Sequence, residues 1–444
     1  MANQTDLTQG SIPKQLIRFA IPLAASSVLQ SMYGLVDMVV AGRFIGSTGL
    51  SAINNGSTVM QMITSVAIGL CTGGNILIGQ YYGARDRDAC HRATVTLLTS
   101  AALFGTVLAV IVFFLAGDIL KMLDAPAIED AGVYLRICSL GGILAILGYN
   151  AAAAALRAVG NSKAPLICVA VTTGLNIVLD VFMVGVLDMG VAGAAWATII
   201  AQIVSFIVAL AFVLKSPDLF GFRLNRLYIR AKELKMILKL GIPCAVQMSV
   251  ASISWLSVTY ILNGYGLVVS AGNGVSAKIK DFCQQFTLAM CNASASMIAQ
   301  NIGAGEFDRA RKTTYTAMRV TVCMALCIIV VVEILAVQMT SLFTSDPEVI
   351  EAAVRNLRIE IMGQVFYASF LVYHSLALGA GHTWFVFFSS FVNCIVVRLV
   401  LAFLFSHLFG LNGVYWACMI APLSSVPLGV WYERSDRWRR TLVK

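Results

Sequence analysis

Charge is scarce in this 444-residue chain: Asp, Glu, Lys and Arg together make up 12% of it, against about 25% in an average soluble domain. Too few ionic groups are present to wet the surface of a soluble protein of this size. That excludes a cytosolic enzyme, a secreted disulfide scaffold and a disordered chain. The 11 cysteines show no CxxC spacing and no His-rich neighbourhood, so they read as buried structural thiols rather than a metal or redox centre. There is no GxxxxGK[ST] phosphate loop and no HExxH metal motif, and so no visible ATPase or zinc protease. No nucleophile–base pair stands out either, and the chain is not expected to be an enzyme. The N-terminal stretch MANQTDLTQGSIPKQ lacks the charged-then-apolar layout of a cleaved signal, so the first apolar span is expected to act as the anchor itself.

What the chain has in excess is apolar surface. The set AVILMFWYC accounts for 59% of its residues, and the mean hydropathy is +0.83. These values define an integral membrane protein, and 36 glycines suit closely packed helices. Long apolar runs predict twelve spans, near 15–40, 51–81, 93–117, 132–156, 164–187, 191–214, 234–262, 267–301, 313–342, 351–378, 384–408 and 412–433, each close to the ~20 residues a bilayer requires. The runs are too long for barrel strands, which leaves an all-α membrane fold.

The formal charge of +9 reflects topology rather than a nucleic-acid partner. Basic residues gather in the N-terminal tail, in every second loop (Arg85, Arg87, Arg92; Arg157, Lys163; Arg309, Arg311, Lys312), in the 215–239 segment and in the C-terminal tail. The alternate loops lean acidic, with Asp118, Asp124, Glu129, Asp188, Asp346 and Glu348. The positive-inside rule then puts both termini in the cytoplasm of a cell-membrane protein.

The two halves resemble each other at an offset near 220 residues. FAIPLA around Pro22 answers KLGIPCA around Pro243, GQYYGARDRDA answers AQNIGAGEFDRA, and GVAGAAWAT answers GLNGVYWAC. Three matches in order at one spacing define a repeat. The expected organisation is a six-helix lobe over 1–214, a basic cytoplasmic linker over 215–233 and a second six-helix lobe with a basic tail over 234–444. Six is even, so the lobes enter the membrane in the same direction and are related by a pseudo-twofold axis along the membrane normal. Transporters built this way bind substrate near the midplane, where the repeats meet.

Without a nucleotide motif, coupling falls to ionisable groups inside the spans, which are costly in lipid and face cavities. The first half offers Asp37 on its first helix, Asn176 and Asp180 at i, i+4 on its fifth, and Thr198 on its sixth. Two carboxylates, an amide and a hydroxyl suit either Na⁺ or H⁺, a carboxylate pair titrating as a unit. Pro22 removes a backbone hydrogen bond and marks a bend in the first helix. Gly69, Gly73 and Gly74 form a small-residue strip suited to helix packing. The second half lacks an acidic pair, with Val258 opposite Asp37 and Val400 opposite Asp180. Its interior charges are Lys278, Lys280, Asp281, Glu333 and Arg398. Lys278 and Asp281, at i, i+3, either neutralise each other or leave a cation on a cavity wall. Arg398 either snorkels or pairs with Glu333.

These residues resemble the multidrug and toxic compound extrusion (MATE) family. The resemblance is carried by Pro22 and Asp37 in the opening helix, the QYYGARD turn, ALRAVGNSKAP, LNIVLD and GVAGAAWATIIAQ, and the order covers nearly the whole chain. It implies antiport: inward H⁺ or Na⁺, with no other cofactor, drives export of amphipathic, often cationic, drugs or metabolites by a monomer. Asp37, Asn176, Asp180 and Thr198 match the cation network of the branch whose site lies in the first lobe, and Pro22 matches its bending proline. Another branch uses acids on the seventh and tenth helices; here those positions fall on Ala251 and Tyr367. The alternative is a flippase for lipid-linked oligosaccharides from the wider superfamily. That reading draws on Lys278, Lys280 and Arg398.

Overall fold

The computed structural model describes residues 6–122, 128–223, 225 and 227–443, with side chains at all of these except 35, 38, 41, 46–48, 50 and 218. Asp124 and Arg226, both counted in the charge pattern above, lie outside the described residues. Among the described residues there is no strand, and the helices follow the apolar runs. They are α1 (Ile12–Phe44), α2 (Gly46–Gly83), α3 (Arg87–Met122), α4 (Ile128–Ser139 with Gly142–Ala158), α5 (Lys163–Val186), α6 (Gly190–Leu214), α7 (Ala231–Asn263), α8 (Leu267–Gly303), α9 (Phe307–Ser341), α10 (Pro347–Ile361 with Gln364–Gly379), α11 (Thr383–Phe409) and α12 (Leu411–Arg434). Eight of these are long and apolar enough to cross a bilayer, and ten if each bent pair counts as one span. The bends, 49° in α4 and 47° in α10, occupy corresponding places in the two repeats. α8 carries Lys278, Lys280 and Asp281 and is not among the ten.

Helix starts are written in the loop sequences. The Asp86 carboxylate accepts the Ala89 N–H at 2.9 Å, the Asn161 side chain accepts the Ala164 N–H at 3.0 Å, and Asp346 accepts the Glu348 N–H at 3.0 Å. Each satisfies one of the orphan donors at a helix N-terminus. The exposed apolar side chains of α9 (Leu326, Val330, Val331, Ile334, Leu335, Val337) form a face that only lipid can cover. Cys323 and Cys327 belong to the exposed part of this helix. The other nine cysteines are buried, so the expectation of buried thiols fails at these two positions.

The chain divides into two compact units, and the divisions fall inside helices. The first unit comprises Ala25–Ala245 with Asp6; the second comprises Leu7–Ala24 and Val246–Lys444. The basic segment 215–233 therefore lies within the first unit. α1 passes from the second unit to the first two residues after Pro22, and α7 from the first to the second two residues after Pro243. In this way the repeat exchanges the leading halves of its first helices.

Within the first unit, the leading half of α7 packs backbone to backbone against the glycine strip of α2. A Cβ at Gly69 would lie 2.4 Å from the Ala245 Cα, one at Gly73 2.4 Å from the Ile237 carbonyl oxygen, and one at Gly241 2.7 Å from the Leu70 carbonyl oxygen. Arg92 of α3 fixes the same half-helix through Glu233 at 3.0 Å. Within the second unit the counterpart is made with side chains: Leu16, Phe19, Ala20 and Leu23 of α1 bury against Ala289, Ala293 and Met297 of α8. Arg309 holds the turn before α1, donating to the carbonyls of Gln9 at 3.0 Å and Gly10 at 2.9 Å.

Candidate cation and ligand sites

The first unit gathers the predicted coupling residues from three helices. Asp180 is fully buried and ends the α-helical part of α5, which continues as π-helix over Val181–Val186. Single π turns inside α-helices recur at functional sites, because they re-aim side chains that a regular helix would stack. Asn176, one turn earlier, is also fully buried. Among the described residues, neither carboxylate oxygen of Asp180 and neither polar atom of the Asn176 side chain has a well-formed hydrogen bond; the two groups have only each other as close polar company. Asp37 of α1 lies close enough for its charge to act on Asp180. Tyr33, one turn before Asp37, meets the Thr198 hydroxyl of α6 at 3.4 Å and lies within the field of both carboxylates. Tyr134 of α4, hydrogen-bonded to Ser57 at 3.2 Å, also lies in the field of Asp37 and Tyr33.

Asp37, Asn176, Asp180 and Thr198 are thus brought together, with Tyr33 as the link between the acids and Thr198. Burying a carboxylate with no more than a neighbouring amide beside it costs several kcal/mol. A cation at this point would satisfy the carboxylate oxygens and Asn176 Oδ1 at once, and the donors are all oxygen, as a hard cation prefers. Tyr33 and Tyr134 escaped the sequence reading because an aromatic in an apolar span reads as core. The one available signal was the i, i+4 spacing of Tyr33 and Asp37. Pro22 lies ten residues after the start of an uninterrupted α1 and just before the helix changes units.

The second unit contains a cavity of about 160 Å³, lined among others by Trp255, Lys280, Glu360, Gln364, Asn393 and Arg398. Ala251 and Tyr367 line it as well. Lys280 forms a buried ion pair with Glu360 and lies 5.3 Å from the Trp255 ring centre. Glu333 pairs with Arg358 at 3.5 Å, not with Arg398. Lys278 and Asp281 are both exposed and form no ion pair with each other among the described residues. Neither pairing weighed from sequence forms: Glu333 takes a cation on the neighbouring α10 instead, and i, i+3 proximity along α8 does not by itself join Lys278 to Asp281. Arg398, in the π-helical stretch Val392–Leu399 of α11, stacks on Trp255 at 4.9 Å. α5 and α11, equivalent in the repeat, thus both carry a π segment, one abutting a buried acid and the other holding a buried base.

Two six-helix lobes with internal repeats, unpartnered charges inside membrane spans and π-distorted helices beside them define a membrane transporter fold. Comparison with known proteins names it. The chain belongs to the MatE family, whose sequence pattern matches twice, over residues 22–182 and 243–404; both matches begin at a repeat proline. The probable multidrug resistance protein YoeA of Bacillus subtilis (strain 168) is 30% identical over 89% of this chain and 88% of its own. The multidrug export protein MepA of Staphylococcus haemolyticus (strain JCSC1435) is 23% identical over 98% and 96%. A solved MATE family multidrug resistance transporter of the MOP superfamily, in its outward-facing conformation, superposes with a TM-score of 0.92 at 22% identity, over 98% of each chain. The chain is a multi-pass membrane protein with the twelve-helix, two-lobe MATE fold.

Proposed function

We propose that the protein is a cation-coupled exporter of small amphipathic molecules, organic cations among them, acting in the cell membrane with both termini in the cytoplasm. The observation that carries this reading is the buried pair Asp180 and Asn176, with no well-formed hydrogen bond to any other described residue, beside Asp37. The names carried by YoeA and MepA support drug export as the class of transport. On this reading Asp37 and Asp180 take up H⁺ or Na⁺ from outside, Asn176 and Thr198 complete the oxygen shell, and Tyr33 ties the first helix to that shell. Filling the site shifts α1 near Pro22 and releases the substrate. Substrate must bind the cation-free state more tightly, because a ligand with equal affinity for two states shifts neither. No step needs nucleotide hydrolysis or covalent chemistry.

The flippase alternative requires cations dense enough to hold a diphosphate. Lys280 is already neutralised by Glu360, which leaves Arg398 as the one unpaired cation among the described lining residues and favours export. The test is efflux of a fluorescent organic cation from proteoliposomes under separately imposed pH and sodium gradients. Acceleration by one gradient supports antiport and identifies the ion; rates indifferent to both refute it.

A further inference from the structure

The second-unit cavity contains a charge that nothing among the described residues balances. Arg398 is 5% exposed, and its Nε and Nη1 are buried without an acceptor. Stacking on Trp255 at 4.9 Å returns only part of what desolvating an unpaired ion costs. The neighbouring Lys280 and Glu360 cancel as a pair, so the lining has a net charge of +1. Ser390 Oγ and Asn393 Oδ1, also on the cavity wall, lack partners too; they offer a hydroxyl donor and an amide acceptor.

We propose that this cavity binds a monoanionic organic ligand, its carboxylate held by Arg398 and its apolar part against Trp255. The charge count favours one negative charge: a phosphate monoester would leave the site net negative. The size agrees. At about 160 Å³ the cavity exceeds the ~30 Å³ share of a water molecule and falls below the ~300–1,000 Å³ of sites that engulf drug-sized ligands, so it takes a ring-sized acid or the acidic end of a longer molecule. Guanidinium is suited to the task because its planar fork meets a carboxylate with two parallel hydrogen bonds. That this ligand is cargo rests on the export reading; that it binds does not.

The test uses the full-length protein in nanodiscs and equilibrium binding of radiolabelled benzoate, benzamide and phenyl phosphate. Benzoate is expected to bind saturably and at least about tenfold more tightly than its neutral amide, the worth of one charge-assisted hydrogen bond. Arg398→Gln should remove that preference, Arg398→Lys should restore part of it, and Gly174→Ala, where an added methyl meets nothing within 4 Å, should leave it intact. Ala251→Glu, which places a carboxylate in the same cavity, should act as a built-in counter-ion, abolishing benzoate binding while raising the melting temperature. Equal binding of benzoate and benzamide overturns the proposal, as does undiminished benzoate binding in Arg398→Gln or Ala251→Glu. A tenfold or greater preference for phenyl phosphate overturns the monocarboxylate assignment in favour of a phosphate headgroup. Absence of gradient-driven efflux in wild-type protein that binds benzoate would count against the export reading alone.

Discussion

The glycine contact between α2 and the leading half of α7 makes a quantitative prediction. In Gly73→Ala the new methyl carbon would lie 2.4 Å from the Ile237 carbonyl oxygen and 2.6 Å from the Gly241 nitrogen, where ordinary contact begins near 3.4 Å. Both neighbours are backbone atoms, so no rotamer change relieves the clash, and α2 must move away by about 1 Å, the shortfall between those distances. Overpacking of this kind costs about 1–3 kcal/mol. Helix propensity opposes it, since alanine is better than glycine inside a helix by about 0.5–1 kcal/mol. Gly174→Ala isolates that second term, because a Cβ at Gly174 of α5 meets nothing within 4 Å. The propensity gain is common to both variants, so the pair should separate by the overpacking cost, about 1–3 kcal/mol, with Gly174→Ala at or above wild type and Gly73→Ala below it. Thermal unfolding in one detergent, followed by intrinsic fluorescence, reads the difference. Equal melting temperatures for the two variants would refute the backbone contact.

Three further outcomes follow from side chains outside the coupling site. Trp438, fully buried among Ile302, Leu376 and Val386, donates its indole N–H to the Glu433 carbonyl at 2.9 Å; Trp438→Ala should cost about 3–5 kcal/mol in the same unfolding assay. Lys280→Met leaves Glu360 buried without its partner and should destabilise by about 3–5 kcal/mol, whereas Lys280→Met with Glu360→Leu should recover most of that loss; a double variant no better than the single would contradict the pairing. His382, in the turn between α10 and α11, meets the Tyr432 hydroxyl through Nδ1 at 2.6 Å. Burial, reinforced by the charge of Arg440, holds its pKa below the usual 6.5. The unfolded chain then takes up the proton first, so His382 has no effect on stability above about pH 6.5 and lowers it progressively as the pH falls below that value. Melting temperatures from pH 7.5 to 5 should fall less steeply in His382→Gln than in wild type.

Local pattern made much of this legible in sequence. Span positions follow from hydropathy, because lipid leaves the backbone no choice but helix. The repeat follows from three spaced matches, and Asp37 and Asp180 stand out because a carboxylate in an apolar run is rare. The exchange of half-helices after Pro22 and Pro243 was not legible: hydropathy along a continuous helix carries no mark of which neighbour each half packs against. Nor were the partners of Lys280 and Arg398. Glu360 and Trp255 lie 80 and 143 residues away, on helices that only the folded chain brings alongside. Tyr33 shows the same limit at short range, since its role depends on Thr198, 165 residues away.

The central claim is that the buried acids of the first unit couple ion entry to export. The most direct measurement is gradient-driven efflux in proteoliposomes containing wild type, Asp37→Asn or Asp180→Asn, alongside substrate binding by the same preparations. Each substitution keeps the shape of the side chain and removes the charge that takes up the cation. The account predicts that both variants still bind substrate but lose the acceleration given by the imposed ion gradient, with Asp180→Asn retaining or gaining thermal stability because a buried charge is gone. Wild-type gradient-driven efflux in both variants would contradict it.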